Sequence, residues 1–140
     1  MHKHIVIRVF SSILIPFIFT FGLYVLFHGK VSAGGGFQGG AICATAIILY
    51  AIIYGLEKTQ DIFSDLTLKI LASIGVLIYL TAGFVPLFVG GKFLDYSSVL
   101  QDKHLAEFIG IMTIEVGIQI SVFAVMLIIF MNFANHVIKE

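Results

Sequence analysis

Four long apolar runs, separated by short polar segments, dominate the hydrophobic pattern of this chain. They extend from about Val9 to Phe27, Phe37 to Leu56, Leu66 to Val89 and Phe108 to Phe133. Each run is close to the roughly 20 residues that an α-helix needs to cross the hydrocarbon core of a bilayer. The pattern therefore predicts an all-α, polytopic membrane protein with four transmembrane helices, which form a single domain over residues 1–140.

Composition strengthens this prediction and excludes several other classes. Of the 140 residues, 59% are hydrophobic and 11% are charged, against roughly 25% charged in ordinary soluble domains. The formal net charge of +0 gives no electrostatic support for a nucleic-acid partner. Cys43 is the single cysteine, so the chain forms no internal disulfide, and no Cys/His cluster has the spacing of a metal site. The sequence therefore predicts neither a metal nor another cofactor.

The first run has an alternative interpretation as a signal peptide, because Val31-Ser32-Ala33 looks like a signal-peptidase site. The apolar core of a signal peptide extends over only about 7–15 residues, and this run is longer. Three further apolar runs make the chain a membrane protein in either case. We therefore interpret the first run as a transmembrane helix.

A glycine-rich segment, Ala33 to Gly40, lies between the first two runs. Gly34, Gly36 and Gly39 match the pattern G-x-G-x-x-G, but a dinucleotide site needs a strand before the glycines and a βαβ unit around them. Here a predicted transmembrane helix precedes them. We expect instead a tight turn at the membrane boundary, because glycine lacks a Cβ and lets another backbone approach closely.

The same segment predicts close helix packing. Gly35 and Gly39 are four residues apart, and a second set repeats at that spacing, namely Gly36, Gly40 and Ala44. Small residues at this interval form a flat helix face that packs closely in lipid. Within the turn, Phe37 is expected to be an apolar wedge and Gln38 a polar anchor for freed backbone groups.

Glu115 is the strongest candidate for chemistry, because a carboxylate within an apolar run costs several kcal/mol unless it is protonated, paired or facing water. Gln119 and Glu107 share its helix face at multiples of four residues. One interpretation is an ion or proton station. The other is a carboxylate that pairs with a neighbouring subunit or reaches the headgroups. No spacing supports Ser/His/Asp or Cys/His catalysis.

His28 and Lys30 flank the glycine segment. They could be a solvated interfacial pair, or His28 could relay protons, because imidazole titrates near physiological pH. Further along the chain, Asp65 is expected to cap the third helix by accepting its free N–H groups. Lys69, in the first turn of that helix, is expected to extend to the interface.

The basic residues predict an orientation. Four crossings place both termini on one side, and that side would hold five Lys and Arg residues against three on the other. This weak bias favours cytoplasmic termini. The first set is Lys3, Arg8, Lys58, Lys69 and Lys139, and the second is Lys30, Lys92 and Lys103.

Two motifs resemble one known family. The stretch Gly34 to Gly40 follows a predicted helix that ends at His28-Gly29, and it resembles the signature of the MnhB-type subunit of the multisubunit Mrp (Mnh) Na+/H+ antiporters. The stretch Ile114-Glu115-Val116-Gly117-Ile118 resembles the last helix of that family. The resemblance covers almost the whole chain. It departs at Ala33, where the family usually has proline, and this bears on the stiffness of the turn.

The resemblance implies a small, non-enzymatic subunit of a multisubunit antiporter in the bacterial plasma membrane. Its partners would be the lipid bilayer and the other subunits, including large ones that resemble the proton-pumping subunits of respiratory complex I. The complex would exchange Na+ for H+. This subunit would be needed for assembly, and it could line the ion route. The positions carried over from the family are Gly34, Gly35, Gly36, Phe37, Gly39, Gly40 and Glu115.

The candidate residues of the ion path are therefore Glu115, Gln119 and His28. Two alternatives for function remain open from the sequence. One is the equivalent membrane subunit of a group 4 membrane-bound hydrogenase or of another complex I-like respiratory complex. The other is a self-sufficient homodimeric transporter that uses Glu115 as its exchange carboxylate.

Overall fold

The structure is a computed structural model that describes residues 2–29, 34–99 and 101–139. Over these ranges the chain forms five α-helices and a short 3-10 turn at Tyr96–Ser98. The helices are α1 (His2–His28), α2 (Gly36–Tyr54), α3 (Leu56–Ile62), α4 (Asp65–Phe88) and α5 (Lys103–Lys139). Lys30 and the stretch Val31-Ser32-Ala33 lie outside the described residues. They carry the signal-peptide alternative, the pair of His28 with Lys30, one charge of the orientation bias and the expectation for Ala33.

Four helices, α1, α2, α4 and α5, are long and apolar enough to cross a membrane, with mean hydropathies of 1.8–2.3. The shortest of them, α2, has 19 residues and extends about 28 Å at 1.5 Å per residue. This length matches a hydrocarbon core about 30 Å thick. The prediction of an all-α polytopic membrane protein with four transmembrane helices is confirmed.

Two helices extend well beyond the apolar runs that indicate them. α1 begins at His2 rather than near Val9, and α5 occupies 37 residues from Lys103 to Lys139. The physical reason is that hydropathy marks only the part of a helix that lies in hydrocarbon. The backbone hydrogen bonds of a helix continue into the headgroup layer wherever no residue interrupts them.

The long helices pack in a row, with α1 on α2, α2 on α5 and α5 on α4. Small residues allow these close approaches. A Cβ at Gly22 of α1 would lie 2.5 Å from Cys43 Sγ of α2, and a Cβ at Gly75 of α4 would lie 2.6 Å from Gly117 O of α5. Both gaps are too short for a side chain. In lipid, such backbone approaches replace the hydrophobic driving force that packs soluble helices.

The burial pattern is the one expected for a protein surrounded by lipid. The buried residues of α2 are all small, namely Gly36, Gly39, Gly40, Cys43, Ala44, Ala46 and Ala51. Large apolar side chains such as Phe17 face outward, and that ring is 69% exposed. Hydrocarbon solvates such side chains well, so their exposure costs little.

The start of α4 differs from the expectation for Asp65. The N-cap is Ser64, whose Oγ accepts a hydrogen bond from Thr67 N at 3.2 Å. Asp65 is the first residue of the helix, and its carboxylate pairs with Lys69 Nζ at 2.5 Å. Serine is as good an N-cap as aspartate, and the residue in the flanking, non-helical position makes the bond. Asp65 therefore pairs with Lys69, one turn later, instead of capping the helix.

At the opposite ends of α1 and α2, Arg8 and Tyr54 make a cation–π contact. The Arg8 guanidinium lies 4.9 Å from the centre of the Tyr54 ring, within the range of such contacts. The contact places the start of α1 beside the end of α2. Both residue types suit the membrane interface.

The connection between α4 and α5 folds back over the end of α4. Gly91 N donates to Pro86 O at 3.0 Å, and Leu94 N donates to Gly83 O at 3.3 Å. Gly90 has a φ of 88°, a backbone conformation that favours glycine. This folding brings the 3-10 turn that contains Tyr96 against α5.

Candidate functional site

The candidate site lies where the start of α2 crosses the first half of α5, at Glu115 and Gln119. Gly34 precedes α2 with a φ of 151°, and a Cβ there would lie 2.8 Å from Val25 Cγ1. Both the backbone conformation and the space therefore require glycine. We call the next four glycines the glycine surface. They are Gly35, which is the N-cap of α2, and Gly36, Gly39 and Gly40 of α2.

The carboxylate of Glu115 occupies space left by two glycines. A Cβ at Gly35 would lie 3.4 Å from Glu115 Oε1, and a Cβ at Gly29 would lie 3.2 Å from Glu115 Oε2. The backbone of Glu115 comes closer still, because a Cβ at Gly36 would overlap Glu115 O. Gly35 and Gly29 thus border the carboxylate, whereas Gly36 contacts the main chain.

Gln119 repeats this arrangement one helical turn further along α5. A Cβ at Gly39 would lie 3.4 Å from Gln119 Oε1, and a Cβ at Gly40 would lie 2.7 Å from Gln119 O. The amide Nε2 donates to Cys43 Sγ at 3.5 Å. The four-residue spacing of the glycine surface therefore matches the four-residue spacing of Glu115 and Gln119, which share one helix face.

Two buried oxygens in this interface have no hydrogen-bond partner among the described residues, Glu115 Oε2 and Gln119 Oε1. A buried acceptor without a donor costs roughly 1–3 kcal/mol, and more when it is charged. The two residues are separated by about 6 Å along the helix axis. A proton, a water molecule or a small cation would satisfy these oxygens.

The first turn of α2 adds a favourable electrostatic environment. Gly35 is the N-cap of α2, and the Glu115 carboxylate lies beside it. The N-terminus of a helix carries a partial positive charge that stabilises a nearby anion by about 0.3–1 kcal/mol. The arrangement can therefore hold a carboxylate within the helix packing while leaving one of its oxygens open to a ligand.

His28 lies in the last turn of α1, close in sequence to Gly29. Its ring stacks on Tyr24 with the centroids 3.9 Å apart, and its Nδ1 lies 3.1 Å from Tyr24 O. A carbonyl oxygen only accepts, so Nδ1 is the donor in this contact. Tyr24 thus orients the exposed imidazole, one residue before Gly29.

Phe37 is not the apolar wedge inside the turn that was expected. Helix α2 already begins at Gly36, and the side chain of Phe37 is 61% exposed. Gly36 packs directly on the backbone of α5, so the next residue of the helix projects away from that interface. Gln38 is exposed as well, and Glu107 lies on the exposed part of α5, two turns before Glu115.

Three contributors to the site were missed in the sequence, Gly22, Gly29 and Cys43. A Cβ at Gly22 would lie 2.9 Å from Gly39 O, and Cys43 Sγ is the acceptor for Gln119. A lone glycine within an apolar helical run is the signal that could have identified Gly22, because glycine is unfavourable there without a packing reason.

Residues 6–128 match the model of a family described as "Domain related to MnhB subunit of Na+/H+ antiporter". The chain belongs to the MnhB family. Among its relatives are proteins named "Putative antiporter subunit mnhB2" from Staphylococcus aureus strains Newman, JH1 and USA300. Each is 29% identical over 134 residues, which cover 94% of this chain and 94% of the relative.

The MnhB match confirms the family resemblance, and the structure shows how its two motifs are related. The glycine motif of α2 and the Glu115 motif of α5 are almost eighty residues apart in the sequence. They meet where Gly35 and Gly36 contact Glu115. Glu115 and the glycine surface therefore form one structural unit of this MnhB domain.

Proposed function

We propose that this chain is a membrane subunit of an Mnh-type Na+/H+ antiporter complex and that Glu115 supplies a carboxylate on its ion route. One observation carries the assignment to Glu115. Its Oε2 is buried, it has no hydrogen-bond partner among the described residues, and it lies beside Gly29. An ionisable group at membrane depth marks an ion or proton pathway more often than a purely structural position. The MnhB family and the names of the relatives support the antiporter function.

The geometry suits alternate occupation by a proton and a cation. A proton on Glu115 would turn the carboxylate into a donor, and Gln119 Oε1, one turn away, is an open acceptor. A small cation at the same place would find the open oxygens of Glu115 and Gln119, and oxygen ligands suit hard cations. Binding of one ion displaces the other, and the electrochemical gradients drive the exchange. His28, one residue before Gly29, would pass protons to the aqueous side.

The proposal includes partners and a location. Other subunits of the complex, among them large subunits resembling those of respiratory complex I, would pack on the outward faces of the helix row. The chain would act as one domain in a bacterial cell membrane, with both termini on the cytoplasmic side. It would work without a cofactor and without covalent catalysis. The close backbone packing of α2 on α5 would make it necessary for assembly.

The test compares two carboxylates of the same helix. In membrane vesicles containing the whole complex, we expect Glu115→Gln to lower Na+-dependent proton exchange about tenfold or more, because the neutral amide cannot exchange a proton. The yield of the assembled complex should be close to that of wild type. The matched control is Glu107→Gln, which neutralises an exposed carboxylate on the same face two turns away, and we expect it to transport normally.

Two results would contradict the role of Glu115. One is wild-type exchange by the Glu115→Gln complex. The other is a loss of exchange that only follows a loss of assembled complex, since that outcome would make Glu115 a packing residue. If the wild-type complex itself exchanged no monovalent cation for protons, the antiporter assignment would be wrong.

A further inference from the structure

An apolar groove lies between α4 and α5, away from Glu115, and the connection between these helices closes one end of it. The groove has a volume of about 440 Å³, within the range of about 300–1,000 Å³ that small-molecule sites occupy. Almost all of its lining is apolar. Residues that mark its extent are Ile74 and Val85 of α4, Ala106 and Thr113 of α5, and Tyr96 and Val99 of the connection.

Tyr96 supplies an unused hydrogen-bond donor at the closed end. Its hydroxyl is buried and has no partner within the part of the chain that the structure describes. The ring is held in place, because it packs so tightly on Gly110 that a Cβ there would overlap it. Burial raises the pKa of Tyr96 above its ordinary value, and Tyr79 adds to this. The phenol therefore keeps its proton at neutral pH and can donate it.

The two threonine hydroxyls of the groove already donate hydrogen bonds to backbone carbonyls. Thr81 Oγ1 donates to Leu77 O and Thr113 Oγ1 donates to Ile109 O, each at 2.7 Å. Among the described lining residues, Tyr96 thus offers the free O–H donor. A buried phenol hydroxyl usually has a hydrogen-bond partner. A ligand that fits the groove should therefore carry a hydrogen-bond acceptor at this end.

The groove has a hydrogen-bond donor at one end and an apolar lining along the rest of its length, which is the arrangement expected of a lipid site. From Val85 to Ile74 it follows α4 for about 16 Å at 1.5 Å per residue, leading from the level of the connection towards the middle of the membrane. A phospholipid has the same order, with ester carbonyl acceptors near the interface and an acyl chain below them. A partner helix fits less well, because its backbone carbonyls are already bonded within the helix.

We propose that this groove binds an acyl chain of a membrane phospholipid and that the Tyr96 hydroxyl donates a hydrogen bond to the ester carbonyl of that chain. This binding site is independent of the ion route proposed at Glu115.

The first experiment tests whether a bulky side chain placed in the groove prevents lipid binding. The full chain is purified, delipidated in detergent and titrated with palmitoyl-oleoyl phosphatidylglycerol, and retained lipid is counted by native mass spectrometry. Thr81→Phe should abolish retention of one lipid, because the ring would occupy the groove. Ser73→Phe is the matched control, since Ser73 is also exposed on α4 and also donates to the carbonyl four residues back, but lies outside the groove.

The second experiment tests the hydrogen bond. Tyr96→Phe should weaken retention about 2- to 12-fold, the range that corresponds to one net hydrogen bond. Tyr50→Phe, which removes a phenol hydroxyl from α2, should have no effect. For the wild type, a dialkyl ether analogue without ester carbonyls should bind more weakly than the ester by a similar factor. For Tyr96→Phe, ester and ether should bind equally.

Three results would overturn the proposal. If Thr81→Phe and Ser73→Phe retained as much lipid as the wild type, the groove would not be the lipid site. If Tyr96→Phe left the ester preference intact, the hydroxyl would not contact the carbonyl. If no form retained lipid while Thr81→Phe alone lowered the yield of the assembled complex, a helix of another subunit would occupy the groove.

Discussion

Glu115 makes two distinct contacts with the start of α2, and the two can be separated by substitution. A Cβ at Gly35 would meet the Glu115 carboxylate at an ordinary van der Waals distance, whereas a Cβ at Gly36 would overlap Glu115 O. A methyl group at the first position would touch only a side chain, without overlap. A methyl group at the second would force two backbones apart, and backbone in a packed helix pair gives way only at a cost.

We therefore expect Gly35→Ala and Gly36→Ala to have opposite phenotypes. Gly35→Ala should leave the thermal stability of the purified chain close to wild type and lower exchange in the complex about 3- to 10-fold, or about 0.7–1.4 kcal/mol. The added methyl would lie 3.4 Å from Glu115 Oε1 and would narrow the access of an ion to the carboxylate.

Gly36→Ala should instead lower the free energy of unfolding by about 1–3 kcal/mol, as overpacked sites do. The measurement is thermal unfolding in detergent for both variants, together with exchange in vesicles. Equal stability of the two variants would contradict the assignment of Gly36 to backbone packing. Full exchange by Gly35→Ala would count against an ion near Oε1.

Single elements were predictable to different degrees. The apolar runs predicted the four long helices, and the four-residue spacing of Gly36, Gly40 and Ala44 predicted a flat face on α2. The helix that packs on that face was not predictable, because in lipid an apolar helix surface does not favour one neighbouring helix over another. Only the structure shows that α5 provides it. Likewise, Asp65 was predicted to cap α4, whereas the cap is the preceding residue, Ser64, which is an equally good capping residue.

The contact between α4 and α5 should depend on Gly75 as strongly as that between α2 and α5 depends on Gly36. A Cβ at Gly75 would overlap Ser121 Oγ and lie 2.6 Å from Gly117 O. Gly75→Ala should therefore lower the free energy of unfolding by about 1–3 kcal/mol, measured by thermal unfolding in detergent. Ser73→Ala, two residues earlier on the exposed face of α4, should change it by less than about 0.5 kcal/mol. Unfolding of both variants at the wild-type temperature would contradict this packing.

In the whole molecule, the helix row follows from where the small residues lie. The closest helix approaches are at glycines and other small residues, and most large apolar side chains are exposed to lipid or to other subunits. One buried cluster of Ala44, Leu68, Leu127 and Met131 adds larger side chains to the packing of α2, α4 and α5. The number and type of the helices could be predicted from hydropathy. The order α1–α2–α5–α4 could not, because glycines such as Gly22 and Gly117 do not identify their partners in sequence.

The row also makes the orientation testable, because the two ends of the molecule are chemically distinct. Arg8 and Tyr54 mark one end, near the exposed Asp61 of α3, and the exposed Gln101 lies at the other. With cytoplasmic termini, a membrane-impermeant maleimide added to intact cells should label Gln101→Cys but label Asp61→Cys only after permeabilisation. Neither substitution alters the basic residues that set orientation. The native Cys43 is 2% exposed and should stay unlabelled in the wild type, which serves as the control. The reverse pattern would place the termini outside, and labelling of both variants in intact cells would contradict four crossings.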